Sequence, residues 1–112
     1  MMLNGKWINP QSISSPFNFH LGIGQIYTDT VTYNTTTITA FVQNYFKVTL
    51  ALNNFRIYNN SVSAINLKMA VDSWFKTPYT WDHNYWGGSV MQKQRALQTI
   101  KENGFDVFSI VP

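Results

Sequence analysis

The segment Phe46-Lys47-Val48-Thr49-Leu50-Ala51-Leu52 has a strict period of two. Phe46, Val48, Leu50 and Leu52 fall on one face, and Lys47, Thr49 and Ala51 on the other. Successive side chains of a strand point to opposite faces, so this spacing predicts a half-buried antiparallel strand. Asn53-Asn54 follows, and Asn tolerates the left-handed conformation of a tight hairpin. Phe55-Arg56-Ile57-Tyr58 then resumes with Phe55 and Ile57 on one face, and Asn59-Asn60 marks another turn.

The same chemistry extends on both sides. Gly24–Tyr33 and Thr36–Gln43 are rich in Thr, Val, Ile, Tyr and Phe, which suit a pleated surface, and Asn34 separates them. Residues 61–76 carry two periods at once. Ile65, Leu67, Met69 and Val71 alternate like a strand, while Ala64, Leu67, Val71 and Trp74 share a helical face. The alternation places a strand at the start of this stretch. Residues 20–73 therefore read as a β-rich core.

The C-terminal third reads differently. Residues 74–88 form a loop crowded with Trp74, Phe75, Tyr79, Trp81, Tyr85 and Trp86, ending in Gly87-Gly88. Ser89, with Gln92 three residues on, has capping-box spacing and predicts a helix over 89–103. Val90, Met91, Leu97 and Ile100 give it an apolar stripe, and Asn103-Gly104 is a C-terminal stop through a left-handed glycine. Residues 105–111 close the chain as a strand. Residues 1–19 read as an extended arm, interrupted by Pro10 and Pro16 and anchored by Trp7, Ile8, Phe17 and Phe19.

These elements place the chain in the α+β class. An antiparallel β-sheet, either a meander or one curled into a sandwich or partial barrel, packs on one C-terminal α-helix and a short closing strand. The expected sheet core is Phe46, Val48, Leu50, Leu52, Phe55 and Ile57, and the helix adds Val90, Leu97 and Ile100. A length of 112 residues suits a single domain over 1–112.

Composition excludes several functions. With no Cys there is no disulfide framework, zinc–thiolate site or thiol nucleophile. Charged residues are 12%, about half the usual share of ~25%, and Asn, Thr and Ser take their place. The eight Lys and Arg are scattered, which is thin for a duplex-DNA binder. No 18-residue apolar run exists, so no membrane insertion is expected. The opening Met1–Trp7 lacks the order of a signal peptide, which fits a virion or cytoplasmic setting.

Chemistry-bearing constellations are sparse. Asp82 and His83 are adjacent, but neighbours in an extended segment diverge, so Asp82 is badly placed to orient the imidazole. The His and acidic residues show no metal-ligand spacing, and no metal or cofactor is implied. Gly87-Gly88-Ser89 precedes a helix but lacks the Lys-Ser/Thr of a phosphate-binding loop.

The aromatic cluster is the strongest feature. Trp81, Tyr85 and Trp86 are candidate loop contacts, and Trp7, Phe17 and Phe19 candidate arm contacts. Such rings serve as hot spots or as a local core. The expected function is a non-enzymatic assembly module acting in a homo-oligomer or with other structural chains, as in a virion or phage tail or neck. Two alternatives are a single-stranded nucleic-acid-binding barrel and a carbohydrate-binding module built on the aromatic loop.

Overall fold

The first strand, β1 (Met2–Ile8), runs antiparallel to β2 (Ser14–His20), with Met2 opposite His20 and Ile8 opposite Ser14 in a computed structural model that describes residues 1–111. The N-terminal segment is therefore a hairpin and not the expected arm. Its turn is made by Asn9, whose side-chain Oδ1 accepts from the Ile13 N–H at 2.9 Å. The Asn9 carbonyl accepts from the Ser12 N–H at 2.9 Å, and Ser12 adopts a φ of 62°. Pro10 falls in this turn, and Pro16 lies in an edge strand, where a missing N–H is tolerated.

The second pair joins β3 (Ile23–Tyr27) to β4 (Ile38–Gln43), with a register shift between Ile26 and Tyr27. Residues 28–37 link them. In that link Asp29 accepts from the Val31 and Thr32 N–H groups, and Asn34 caps a short 3₁₀ turn over Thr35–Thr37. The Thr32 hydroxyl and these amides favour the Asp29 carboxylate and hold its pKa below the ordinary value. The third pair joins β5 (Asn66–Met69) to β6 (Phe108–Val111). Between these last two strands lie a 3₁₀ turn over Val71–Phe75, a one-turn helix α1 (His83–Trp86) and the main helix α2 (Gln94–Asn103), which tightens into 3₁₀ over Gly104–Asp106.

The fold is mixed α+β, with antiparallel pairs, one main C-terminal helix and a closing strand. The strands do not join into one sheet. Three separate two-stranded sheets form, with no closed barrel among the described residues. The strand expected over 46–52 is absent as a ladder, although Phe46, Val48 and Leu50 remain half-buried while Lys47, Thr49 and Ala51 are exposed. Period two thus survives in burial without a partner strand. The turns at Asn53-Asn54 and Asn59-Asn60 do form, with φ 59° at both Asn54 and Asn60.

The core lies elsewhere. Phe19, Trp74, Trp81, Val90, Ala96, Leu97, Ile100 and Val107 form the buried cluster, with Leu3, Leu21, Phe46, Phe75, Trp86 and Phe108 packed around it. Of the expected sheet core only Phe46 joins, edge-on to the fully buried Trp74 at 5.8 Å. Leu52 and Ile57 are exposed. Val90, Leu97 and Ile100 are buried as expected, but α2 starts at Gln94 and not at Ser89. Ser89 instead bridges to Asn18, and the Asn18 N–H donates to the Gly88 carbonyl at 2.9 Å. Gly104 takes a right-handed φ of −59°. Its missing side chain serves packing, since a Cβ there would sit 2.6 Å from the Phe46 ring and 2.9 Å from that of Trp74.

Candidate functional site

One side chain of α2 ties down the first half of the aromatic segment 74–88, beside the Trp81 N–H that donates to the Phe75 carbonyl at 2.8 Å. Asn103 is completely buried. Its Nδ2 donates to the Trp74 and Tyr79 carbonyls, both at 2.8 Å, and its Oδ1 accepts from the Tyr79 N–H at 3.0 Å. One amide thus satisfies three backbone groups of a turn that has no regular ladder of its own. Trp74 and Trp81 are thereby fixed in the interior. The segment is a core element as much as a loop.

The candidate contact residues separate into two groups. Phe19 is 1% exposed and belongs to the core, and Trp81 is buried beside it. Neither offers a surface to a partner. Trp7 and Phe17 are half-buried on the hairpin and close over His83: Trp7 stacks on its ring at 5.3 Å, and Phe17 lies 4.9 Å away. The Trp81 Nε1–H donates to His83 Nδ1 at 3.2 Å. Burial among these rings pushes the His83 pKa below its ordinary 6.5, with the Asp82 carboxylate pulling the other way. Asp82 itself caps α1, accepting from the Asn84 N–H at 2.9 Å. The pair is structural in geometry: the imidazole is an aromatic spacer with a hydrogen-bonded nitrogen, and the carboxylate is a helix cap.

Tyr85 and Trp86 remain available. Trp86 stacks on Trp81 at 5.5 Å and meets Tyr85 edge-on at 4.7 Å and 82°. Tyr85 is 69% exposed. These two rings form one wall of a cleft of about 480 Å³. Tyr27 and Tyr33, edge-on to each other at 5.4 Å, form another. The start of α2 forms the floor with Lys93, Gln94 and Arg95. Gln94 is positioned by a reciprocal amide pair with the buried Asn44, at 3.0 and 2.7 Å. Lys93 Nζ donates to the Trp86 carbonyl at 2.7 Å. In the linear sequence cations and aromatics do not interleave; the fold brings Lys93 and Arg95 beside four aromatic rings contributed by two distant segments. Long-range juxtaposition of this kind leaves no local periodicity to read.

A second surface is equally distinctive. Among the described residues, no backbone–backbone hydrogen bond outside helices and strands involves residues 45–65. Phe46 anchors the start of this excursion on the core, and side-chain hydroxyls brace the rest, with Ser61 donating to the Tyr58 carbonyl and Ser63 to the Arg56 carbonyl. Tyr45, Ile57, Tyr58, Val62 and Ile65 are exposed along it, Ile57 at 81% and Val62 at 100%. Where it returns to the body, Leu52, Phe55, Ile65 and Ile110 line a groove beside the β5–β6 pair.

Among the described residues no three His, Asp or Glu side chains gather as metal ligands, and no helix is long and apolar enough to cross a membrane. No protein-family model, curated protein or solved structure matches the chain.

Proposed function

We propose that the protein is a non-enzymatic assembly module whose copies bind one another through the 45–65 excursion and the sheet edges beside it, as in the repeating subunit of a virion or phage tail. The observation that carries this reading is the excursion itself, 21 residues with no backbone ladder, anchored on the core by Phe46 and carrying Ile57, Tyr58, Val62 and Ile65 outward. Backbone donors and acceptors in an extended segment are ordinarily satisfied by a neighbouring strand. Here a strand from a second copy supplies the pairing, with main-chain hydrogen bonds giving affinity and alternate side chains giving register.

The amount of surface supports the same reading. The chain exposes 8037 Å², where a compact protein of its mass exposes about 6300 Å². A standard interface takes about 800 Å² from each partner, and a chain this open has surface to give. The scarcity of charge lets like subunits approach with little repulsion.

The test is a pair of substitutions, Ile57→Asp and Val62→Asp. Both side chains stand free of the body, so each changes the stability of the isolated fold by less than about 0.5 kcal/mol. Each is expected to weaken self-association at least tenfold in sedimentation velocity. An unchanged distribution of species in both variants contradicts the assignment of this surface.

A further inference from the structure

We propose that the cleft between the end of β3 and the start of α2 binds a nucleotide unit, a flat base carrying a phosphate. Its volume of about 480 Å³ falls in the range of small-ligand sites. Its walls define the ligand in three steps. First, no carboxylate lines it, whereas Lys93 and Arg95 do. Among the described residues the one ion pair joins Lys76 to Asp72, so neither cleft cation has an acidic partner within 4.0 Å. α2 also begins here without a side-chain cap. Cations beside an open helix start favour an anion. Lys93 spends one N–H on the Trp86 carbonyl and keeps two for such a group.

Second, the walls are aromatic. Tyr85 and Trp86 stand at 82° to each other, so a flat ring laid on one abuts the edge of the other. A small inorganic anion makes no use of these rings. A neutral saccharide uses the rings and leaves both cations uncompensated. A nucleotide uses both features: base–aromatic stacking contributes about 1–3 kcal/mol per base, and the phosphate meets Lys93 and Arg95. Third, the exposed Gln92 amide at the rim offers a donor and an acceptor to a base edge. This site is separate from the 45–65 excursion and stands whether or not copies assemble.

The nucleotide unit has two sources, a free mononucleotide or one residue of a single strand. The experiment uses the full chain with two probes: adenosine monophosphate, read by tryptophan quenching, and a fluorescein-labelled ten-residue oligothymidylate, read by anisotropy. At least one binds at low salt. Oligonucleotide affinity tenfold or more above that of the mononucleotide identifies a single strand as the source; comparable affinity identifies the free nucleotide. Tyr85→Ala and Arg95→Gln, both at exposed positions, each weaken binding at least fivefold while circular dichroism stays unchanged. For the oligonucleotide, two phosphate-pairing cations give a slope of log affinity on log salt near about −1.4, falling to about −0.7 in Arg95→Gln. Absence of binding by both probes overturns the proposal. So does binding that neither variant weakens, or tryptophan quenching by a hyaluronate tetrasaccharide with none by either nucleotide probe.

Discussion

Asn103 and His83 tie the aromatic segment to α2 and to the N-terminal hairpin. Asn103→Ala removes three hydrogen bonds from the interior at once. It leaves the Trp74 and Tyr79 carbonyls and the Tyr79 N–H without their partner. The Trp74 carbonyl bond is buried and the two Tyr79 bonds are part-buried; an unsatisfied buried group costs about 1–3 kcal/mol, so a loss in that range is expected in urea denaturation. His83 gives a pH signature. Its folded pKa lies below 6.5, so the unfolded chain binds the proton more readily. The associated stability is fully present above about pH 6.5 and is lost as pH falls from there through the folded pKa. The melting temperature is expected to fall between pH 7.5 and 5.5, and His83→Gln to flatten that dependence. Asp29 and Asp72 do not confuse the test. Their depressed pKa values place their loss of stability below about pH 4, outside this window. The Asp82–His83 pair was expected in an extended segment, whereas Asp82 caps a one-turn helix and His83 stacks on rings from the distant hairpin. Nor was the role of Asn103 legible, because its partners lie 24 and 29 residues away and no local pattern marks them.

At the level of elements, local chemistry and long-range pairing part company. Asn53-Asn54 and Asn59-Asn60 turn as their left-handed tolerance predicts, whereas the strand expected at the start of 61–76 forms later, at Asn66–Met69, with all four residues exposed. Period two at 46–52 reports which side chains face the body, but a ladder also needs a partner, and this chain supplies none there. The helix start fails for a similar reason. Ser89 has the composition of a cap, yet β2 recruits the strand-like stretch around it through the Gly88 carbonyl. The N-terminal prolines, read as breakers, are accommodated because Pro10 falls in the turn and Pro16 in a two-stranded sheet that has only edge strands. Gly104 separates the two accounts of the helix end. A left-handed stop predicts strain in any substitution. Right-handed Gly104 gives Ala a helix-propensity gain of up to about 1 kcal/mol, set against contact with the Phe46 and Trp74 rings. Overpacking costs about 1–3 kcal/mol, so Gly104→Ala is expected to destabilise. The companion Phe46→Leu, which relieves the clash, is expected to recover part of that loss in a double-mutant cycle, a recovery that backbone strain does not permit.

The whole molecule is more extended than its length requires. Its radius of gyration is 18.1 Å, and a compact chain of this size has about 13 Å. The principal extents are 58 × 38 × 23 Å. Three separate two-stranded sheets and an unladdered excursion leave backbone edges on several sides, and two-stranded sheets are marginal alone in water. A small core of Trp74, Phe19, Leu97 and Ile100 anchors the body. The class of fold was legible because β-rich composition, turn residues and the apolar stripe of the helix are local. The cleft and the excursion were not, since both depend on which distant segments meet. The most direct measurement of the central claim is light scattering coupled to size exclusion, run on the full chain over a hundredfold range of concentration. Assembly through the excursion predicts a discrete multiple of 12.9 kDa that dissociates only at the dilute end. A mass of 12.9 kDa at every concentration contradicts it.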